Sequence, residues 1–197
     1  MVTGITGLTE SQQARRERML SAAEELALAG GWDGVQMREV ATRADVALGT
    51  LYRYFPSKEH LLVSVMLGEV EHLADRLAVR PPEGEDPVDR VIDVLRRANR
   101  NLQKQPQVTV AMIRALVAGN QDVAPVVAAN RVVMRRIIAD ALGHDEDAAG
   151  DAGGRDVLAI DLLSDVWLAA LVSWISGVES AATVIRKLED ATRGLLG

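Results

Sequence analysis

The stretch VQMREVATRADVALGTLYRYFPSK, residues 35–58, decides the fold class of this chain. Apolar residues recur in it at helical spacing on both sides of a tight break: Met37, Val40, Ala41, Val46, Leu51 and Phe55. This periodicity predicts two short helices, at about 37–44 and 48–54, joined by a turn of a few residues. Such a pair is typical of a helix-turn-helix, whose second helix enters the major groove of DNA.

A preceding helix supplies the surface on which the two short helices are expected to pack. It begins with a capping-box pattern at Thr9–Gln12 and is stopped by Gly30-Gly31. Its apolar face includes Leu20, Ala23 and Leu26. With that face covered, the second short helix is prominent enough to reach DNA.

Candidate DNA contacts lie on and around the second short helix. Small residues at its start, Ala47 and Gly49, would let the backbone approach DNA closely. The Tyr52 hydroxyl suits a phosphate oxygen, and the Lys58 ammonium lies at a helix start, where free N–H groups also attract phosphate. The full predicted set is Gln36, Arg38, Arg43, Ala47, Leu48, Gly49, Thr50, Tyr52 and Lys58.

Base reading by this helix is expected to be sparse. Residues 47–50 include no Asn, Gln, Lys or Arg, the side chains that read base edges through paired hydrogen bonds. We therefore expect thymine-methyl and backbone contacts there. Arg38 or Arg43 of the preceding helix would add the polar base contacts.

The segment GTLYRYFPSK, residues 49–58, closely resembles the signature of the TetR family of transcriptional repressors. GGWDGV at 30–35, followed by REVA, matches the approach to that family's second helix. The resemblance implies an all-α homodimer with a three-helix DNA-binding domain, residues 1–56, and a helical ligand-binding and dimerisation bundle, residues 57–197. It also implies operator contacts from matching positions: Gly49, Thr50, Tyr52 and Lys58.

Two positions depart from the family pattern. Gln36 stands where the family usually has a Ser or Thr cap, so the second helix is expected to lack its usual side-chain cap. Asp45 stands where the family often has Gly, and must therefore adopt a turn conformation that Asp tolerates.

The rest of the chain is also predicted to be helical. Pro56 breaks the chain, Ser57 caps a fourth helix to about Val79, and a linker follows at 80–84. Further helices are predicted to start at Asp86-Pro87, at Pro106 and at Asp122 with Pro125, and to cover 155–176 and 180–196. The acidic, Gly- and Ala-rich stretch 143–154 is expected to be a mobile loop.

The composition of the chain excludes several classes of function. The chain has no Cys, which excludes thiol catalysis and thiolate metal sites and fits the reducing cytoplasm. We expect no signal peptide, no membrane span and no cofactor. The net charge of −6 argues against general affinity for nucleic acid, and residues 1–60 carry 7 basic against 8 acidic side chains. DNA contact must therefore come from positioned cations.

The helix at 155–176 is apolar around most of its circumference and should be buried on two sides. A two-fold dimer interface formed with the last helix explains this, and Trp174 and Leu188 are the predicted interface residues. The alternative is a helix wholly inside one domain.

Ligand-binding residues are predicted in the bundle. Met66, Met112, Met134 and Trp167 could line an apolar cavity, although Met at helical spacing is more often plain core. Segments such as RADVA at 43–47 and SDVWL at 164–168 resemble the actinobacterial TetR-family repressors of sterol catabolism. That likeness implies a steroid acyl-CoA thioester as inducer, with phosphates held by arginines such as Arg97 and Arg135.

Other functions stay open at this point. The chain could regulate unrelated genes, such as those of efflux or other lipid metabolism, or act as a ligand-carrying or protein-interaction bundle. Glu69 and His72 form a Glu-x-x-His pair, the half-set of a di-metal helical enzyme, but no second such pair is present. A hydrolase lacks support, because there is no G-x-S-x-G motif. A non-enzymatic regulator is therefore expected.

Overall fold

The computed structural model describes residues 9–118, 121–143 and 154–197, and these parts contain helices and no strand. Their nine α-helices are α1 Glu10–Gly34, α2 Met37–Arg43, α3 Leu48–Tyr54, α4 Lys58–Val79, α5 Pro87–Lys104, α6 Pro106–Ala118, α7 Ala124–Leu142, α8 Gly154–Ile175 and α9 Ala181–Leu196. A short 3-10 turn, Gln121–Val123, precedes α7. The all-α prediction is confirmed, while the loop predicted at 143–154 lies almost wholly outside the described residues.

The first helix starts and stops as its sequence signals predict. Thr9 Oγ1 accepts a hydrogen bond from the Gln12 backbone N–H, and Gln12 Oε1 accepts one from the Thr9 N–H at 2.8 Å, which completes the capping box. Near its end Gly30 and Gly31 leave helical geometry, and Gly31 has φ of +58°. The left-handed conformation at Gly31 breaks α1 before the segment that leads into α2.

Later helices also begin at the predicted caps. Ser57 Oγ accepts a hydrogen bond from the His60 N–H at 3.1 Å at the start of α4. Asp86 Oδ1 accepts one from the Asp89 N–H at 2.7 Å at the start of α5. Each cap satisfies a backbone donor that the first turn of a helix leaves free.

Residue contacts divide the chain into two compact units. The first contains the chain up to Glu69 together with Gln105–Ala129, and so holds α1–α3, the start of α4 and α6. The second contains Val70–Lys104 and Asn130–Gly197, and so holds α5, α8 and α9 with the remainders of α4 and α7. The functional boundary expected at residue 56 stays a prediction; by packing, α6 belongs with the N-terminal helices.

The first unit buries the apolar faces that the sequence predicts to pack together. Leu51 and Phe55 are 0% and 1% exposed, and Val40 and Ala23 are fully buried. Each such leucine or phenylalanine stabilises the fold by about 1.5–3 kcal/mol relative to an exposed side chain. This core fixes how α3 is presented to solvent.

The second unit is built from two antiparallel helix pairs. α5 runs against α9: Asp89 pairs with Arg193 and Arg96 with Glu189, each at 2.8 Å, and Gln103 donates to the Ala181 carbonyl. α7 runs against α8 through two ion pairs, Arg131 with Asp165 and Arg135 with Asp161. Polar side-chain contacts therefore set the register of these helices.

Over Val157–Ile175, α8 is long and apolar enough to cross a membrane by length and composition, with a mean hydropathy of 1.7. Core helices of soluble proteins pass the same test, and Asp161 and Asp165 interrupt the apolar run. About a third of that window, 33%, is buried inside the single chain. Most residues of this window are therefore only partly buried by their own chain or are exposed.

Candidate functional site

The turn between α2 and α3 is held by backbone geometry. Asp45 has φ of +53°, the left-handed conformation that the sequence requires of it. The Val46 N–H donates to the Ala41 carbonyl at 3.0 Å, which closes the turn. The prediction for Asp45 is confirmed, and the turn leads the chain directly into α3.

α3 presents its small residues and Tyr52 to solvent. Leu51 anchors the helix in the core, whereas Ala47 and Gly49 are exposed and Leu48 and Thr50 are half-buried. A Cβ added at Gly49 would meet no heavy atom within 4 Å. Tyr52 is 46% exposed. This face is open to the close approach of a large ligand such as a DNA backbone.

The predicted contacts on and before α2 are exposed as well. Gln36 precedes α2 without capping it, as expected, and its Nε2 donates to the Asp33 carbonyl at 2.9 Å. Arg38 is exposed. The Arg43 guanidinium lies 3.7 Å from a Glu25 carboxylate oxygen, and the Arg43 side chain is 42% exposed, so solvent screens that pair.

Lys58 begins α4 and is tied to Trp32. Its ammonium donates to the Trp32 carbonyl and lies 4.2 Å from the centroid of the Trp32 ring. The Arg114 guanidinium of α6 approaches the same ring at 5.1 Å. Trp32 thus holds two cations beside the start of α4 through cation–π contacts.

The environment of Lys58 weakens its hold on its proton. Burial lowers the pKa of Lys58 below its usual 10.5, and the positive charge of Arg114 acts in the same direction, against Asp33 and Glu59. A phosphate oxygen placed beside the ammonium would restore its preference for the charged form. Lys58 is therefore placed where an added anion would be favourable.

Two basic residues at this surface were missed by the sequence reasoning. Arg53 lies on α3, is exposed, and has its guanidinium 5.9 Å from the Tyr54 ring. Its place in the quoted stretch was a signal that could have found it. Nothing in the sequence marks Arg114 as part of this surface, because only the packing of α6 brings it to Trp32.

Comparison with known families matches both parts of the chain. Residues 19–65 match the model of bacterial regulatory proteins of the tetR family. Residues 84–195, more than half of the chain, match the model of the tetracyclin repressor-like C-terminal domain. The chain belongs to the TetR family of transcriptional regulators. The resemblance expected from residues 30–58 is confirmed.

Repressors named KstR are similar to this TetR-family regulator over nearly its whole length. The HTH-type transcriptional repressor KstR of Rhodococcus jostii is 41% identical over 96% of this chain and 86% of its own. KstR of Mycobacterium tuberculosis is 38% identical over 96% of this chain and 84% of its own. The chain is thus a TetR-type transcriptional repressor by its relatives.

Solved structures agree with the assignment to the TetR family. A TetR transcriptional regulator from Rhodococcus sp. RHA1 superposes with a TM-score of 0.86 at 37% identity, over 95% of this chain and 98% of that one. FadR of Thermus thermophilus, solved in complex with lauroyl-CoA, has a TM-score of 0.64 at 23% identity, over 92% of this chain and 93% of that one. The latter likeness shows the fold alone.

The apolar ligand-binding candidates of this TetR-family regulator fall in both units. Met66, half-buried, and Met112, buried, belong to the first. Met134 and Trp167 belong to the second, where Trp167 Nε1 is buried without a hydrogen-bond partner. A cleft of about 260 Å³ in the second unit is lined by none of these four but by Ala74, Leu77, Ala78, Pro82, Ile137, Asp140 and Ala141. That the four predicted residues line a ligand cavity stays a prediction.

The two arginines predicted to hold phosphates are already paired with carboxylates. Arg97 lies 2.6 Å from Asp93 and also donates to the carbonyls of Arg80 and Pro81, which fixes the linker before α5. Arg135 donates to both carboxylate oxygens of Asp161, at 2.7 and 2.9 Å. A phosphate at either arginine would have to share or displace these partners.

The predicted dimer residues differ in accessibility. Trp174 is half-buried, but Leu188 is 1% exposed and packs within its own chain. α8 does expose two leucines, Leu158 and Leu162, at 59% and 42%. They lie one helical turn apart on the same face, so they offer the apolar surface that Leu188 does not.

The metal-enzyme alternative gains no support. Among the described residues, no group of three or more His, Asp or Glu side chains could hold a metal ion. Glu69 and His72 therefore stand without further ligands in that part of the chain. The matches to the family models support a transcription regulator.

Proposed function

We propose that this TetR-family repressor controls genes of sterol or related lipid catabolism. The observation that carries the proposal is the 38–41% identity, over 96% of the chain, to three repressors named KstR. The sequence likeness to sterol-catabolism repressors includes segments of both the DNA-binding part and α8. The target genes therefore belong to the degradation of an apolar polycyclic lipid.

The repressor binds a palindromic operator in the cytoplasm as a dimer. The exposed face of α3, with Gly49 and Tyr52, enters the major groove, while Lys58 anchors a phosphate. A second copy of the chain covers Leu158 and Leu162 of α8, because removing two neighbouring exposed leucines from water is favourable. Two-fold symmetry then presents two recognition helices to two half-sites.

The inducer is a coenzyme A thioester of a steroid acid. Two transcriptional regulators named FadR support the chemistry: they share this fold with TM-scores of 0.62 and 0.64 and were solved with stearoyl-CoA and lauroyl-CoA. An apolar skeleton suits the Leu- and Val-rich bundle. The phosphates would bind Arg97 or Arg135, whose guanidinium groups match phosphate geometry.

Release of operator DNA tests the proposal. A fluorescent duplex from the DNA beside the repressor's own gene is bound, and its anisotropy is followed as ligand is added. A steroid-acid thioester should release the DNA at a concentration at least about tenfold below that of the free acid, since only the thioester carries phosphates.

A matched pair of variants tests the proposed role of Arg135 in binding phosphate. Arg135→Glu should weaken the thioester's effect. Asp161→Asn removes the same ion pair but keeps the cation, so it should leave the effect intact or strengthen it. Equal action of thioester and free acid would refute the arginine role. If neither acts, the repressor controls other genes, such as those of efflux or another lipid.

A further inference from the structure

Asn99 of α5 is a buried amide that no protein group satisfies. It is 1% exposed, and neither its Nδ2 nor its Oδ1 has a hydrogen-bond partner. A buried amide without a partner is strongly unfavourable, because its hydrogen bonds to water are lost and not replaced. A leucine at this position would avoid the penalty.

Three other polar residues of the described chain, Ser64, Thr109 and Thr192, are as fully buried as Asn99, and they do have partners. Ser64 Oγ donates to the His60 carbonyl at 2.8 Å, and Thr192 Oγ1 donates to the Leu188 carbonyl at 2.6 Å. These short hydroxyl side chains bond to their own helices. Thr109, the remaining one, also has an interaction partner. Among these four residues Asn99 is the exception, and both of its polar side-chain atoms lack a partner.

The surroundings of Asn99 are apolar on its own helix. Ile92 and Leu95, two turns and one turn before it, are each 2% exposed, so Asn99 lies on the buried arc of α5. The ties of Arg96 to Glu189 and of Gln103 to the Ala181 carbonyl set the register with α9. They place Asn99 level with the stretch 184–188, whose Val184 and Leu188 are at most 1% exposed.

The two unsatisfied atoms specify the chemistry of a partner. An amide offers N–H donors on Nδ2 and an acceptor on Oδ1. A hydroxyl group can accept from the first and donate to the second, whereas a ketone or thioester carbonyl only accepts and leaves Oδ1 unsatisfied. A hydroxyl on an otherwise apolar molecule therefore matches both atoms of Asn99 and its neighbours.

We propose that Asn99 is the polar recognition point of the inducer site, where its amide binds a hydroxyl group on the apolar body of the ligand. This inference rests on the proposed function, in which a steroid-type thioester binds the bundle. It adds a selectivity: hydroxylated ligands release the operator, and their ketone counterparts act weakly. A buried water molecule could satisfy the same amide, and the experiment separates the two.

The test uses three coenzyme A thioesters that differ at one ring carbon. These are the thioesters of lithocholic acid, which bears a 3-hydroxyl, of the corresponding 3-ketone, and of cholanic acid, which has no ring oxygen. Each is titrated into the full-length repressor bound to a fluorescent operator duplex. The wild type should be released by the hydroxyl compound at about tenfold lower concentration than by the cholanic acid thioester, the ratio expected for two ordinary hydrogen bonds. The ketone, which can accept only one of the two bonds, should fall between them.

Asn99→Leu should abolish that tenfold difference, and ligand-free Asn99→Leu should unfold at the same temperature as the wild type or higher, because leucine has no unsatisfied amide. Asn99→Ser gives the same test if the leucine variant folds poorly, since a serine hydroxyl can bond to its own helix, as Ser64 does. Loss of the preference in either folded variant supports the proposal.

Two results would overturn the proposed role of Asn99. If the thioesters release the operator with equal potency, or if the hydroxyl preference survives in Asn99→Leu, the amide binds water and the proposed function still holds. If none of the three thioesters releases the operator, both the steroid-thioester inducer and the role of Asn99 are wrong.

Discussion

Replacing Gly49 by alanine separates the stability of α3 from its fit to DNA. Gly49 lies in the first turn of α3 and is exposed, and an added Cβ would meet no atom within 4 Å. Glycine within a helix is destabilising by about 0.5–1 kcal/mol relative to alanine. Because Gly49 is near the helix end, Gly49→Ala should raise the free energy of unfolding by about 0.5 kcal/mol.

The same methyl group should weaken operator binding. It would project from the face of α3 that is proposed to enter the major groove, where the backbone approaches DNA closely. Inserting a methyl into a packed interface costs about 1–3 kcal/mol. The dissociation constant for the operator should therefore rise about fivefold or more.

Gly68→Ala is the matched control. Gly68 is in α4, and a Cβ there also meets no atom within 4 Å, so the variant should gain stability without losing operator affinity. Urea unfolding measures the first quantity and fluorescence anisotropy the second. Wild-type affinity in Gly49→Ala would refute the placement of α3 in the groove, and an equal loss in both variants would refute the steric explanation.

Three further changes test the fold, its pH dependence and its assembly. Asp45→Gly should raise the free energy of unfolding in urea by about 0.5–1 kcal/mol, because the residue has φ of +53°; a loss of stability would contradict the assigned turn. Burial lowers the pKa of His60 below 6.5, so the unfolded chain binds that proton more tightly, and stability should fall as the pH drops from 6.5 through the folded pKa. His60→Gln should flatten this part of the profile of melting temperature against pH, whereas the control His72→Gln, at an exposed position, should not. Parallel profiles for the wild type and His60→Gln would contradict the role of His60. Leu162→Glu should yield folded monomers in sedimentation, whereas Leu188→Glu should unfold the chain; folded dimers in Leu162→Glu would move the interface elsewhere.

Local signals in the sequence predicted most of the helix boundaries. The third helix was expected at about 48–54, and α3 runs Leu48–Tyr54. Thr9 caps α1 and Asp45 adopts the left-handed turn as expected. These features depend on residues within one or two turns of each other, where capping and backbone sterics decide the outcome.

Contacts between distant residues could not be predicted in the same way. No periodicity indicates that Arg114 approaches Trp32, or that Asp161 neutralises Arg135. Such contacts depend on which helices pack together and in what register. The sequence identified Arg135 only as a candidate phosphate ligand and did not single out Arg114.

Periodicity indicates which face of a helix is buried but does not identify its partner. Leu188 was assigned to the dimer interface because α8 is apolar around most of its circumference and the TetR resemblance implies an interface formed by the last two helices, yet Leu188 is buried inside its own chain. Asn99 shows the opposite case: the spacing of Ile92 and Leu95 places it on the apolar arc of α5, so a single polar residue on that arc was a readable signal.

Salt dependence of operator binding tests the proposed helix-turn-helix contacts most directly. The anisotropy of a duplex from beside the repressor's own gene, and of a scrambled duplex, is titrated over a range of salt concentrations. The wild type should prefer the native duplex, and Lys58→Ala should weaken binding to both and reduce the slope of log affinity against log salt by about one unit per protomer. Tyr52→Phe should weaken binding to both duplexes as well. Wild-type affinity and slope in both variants, or equal binding of the two duplexes by the wild type, would contradict operator recognition through this motif.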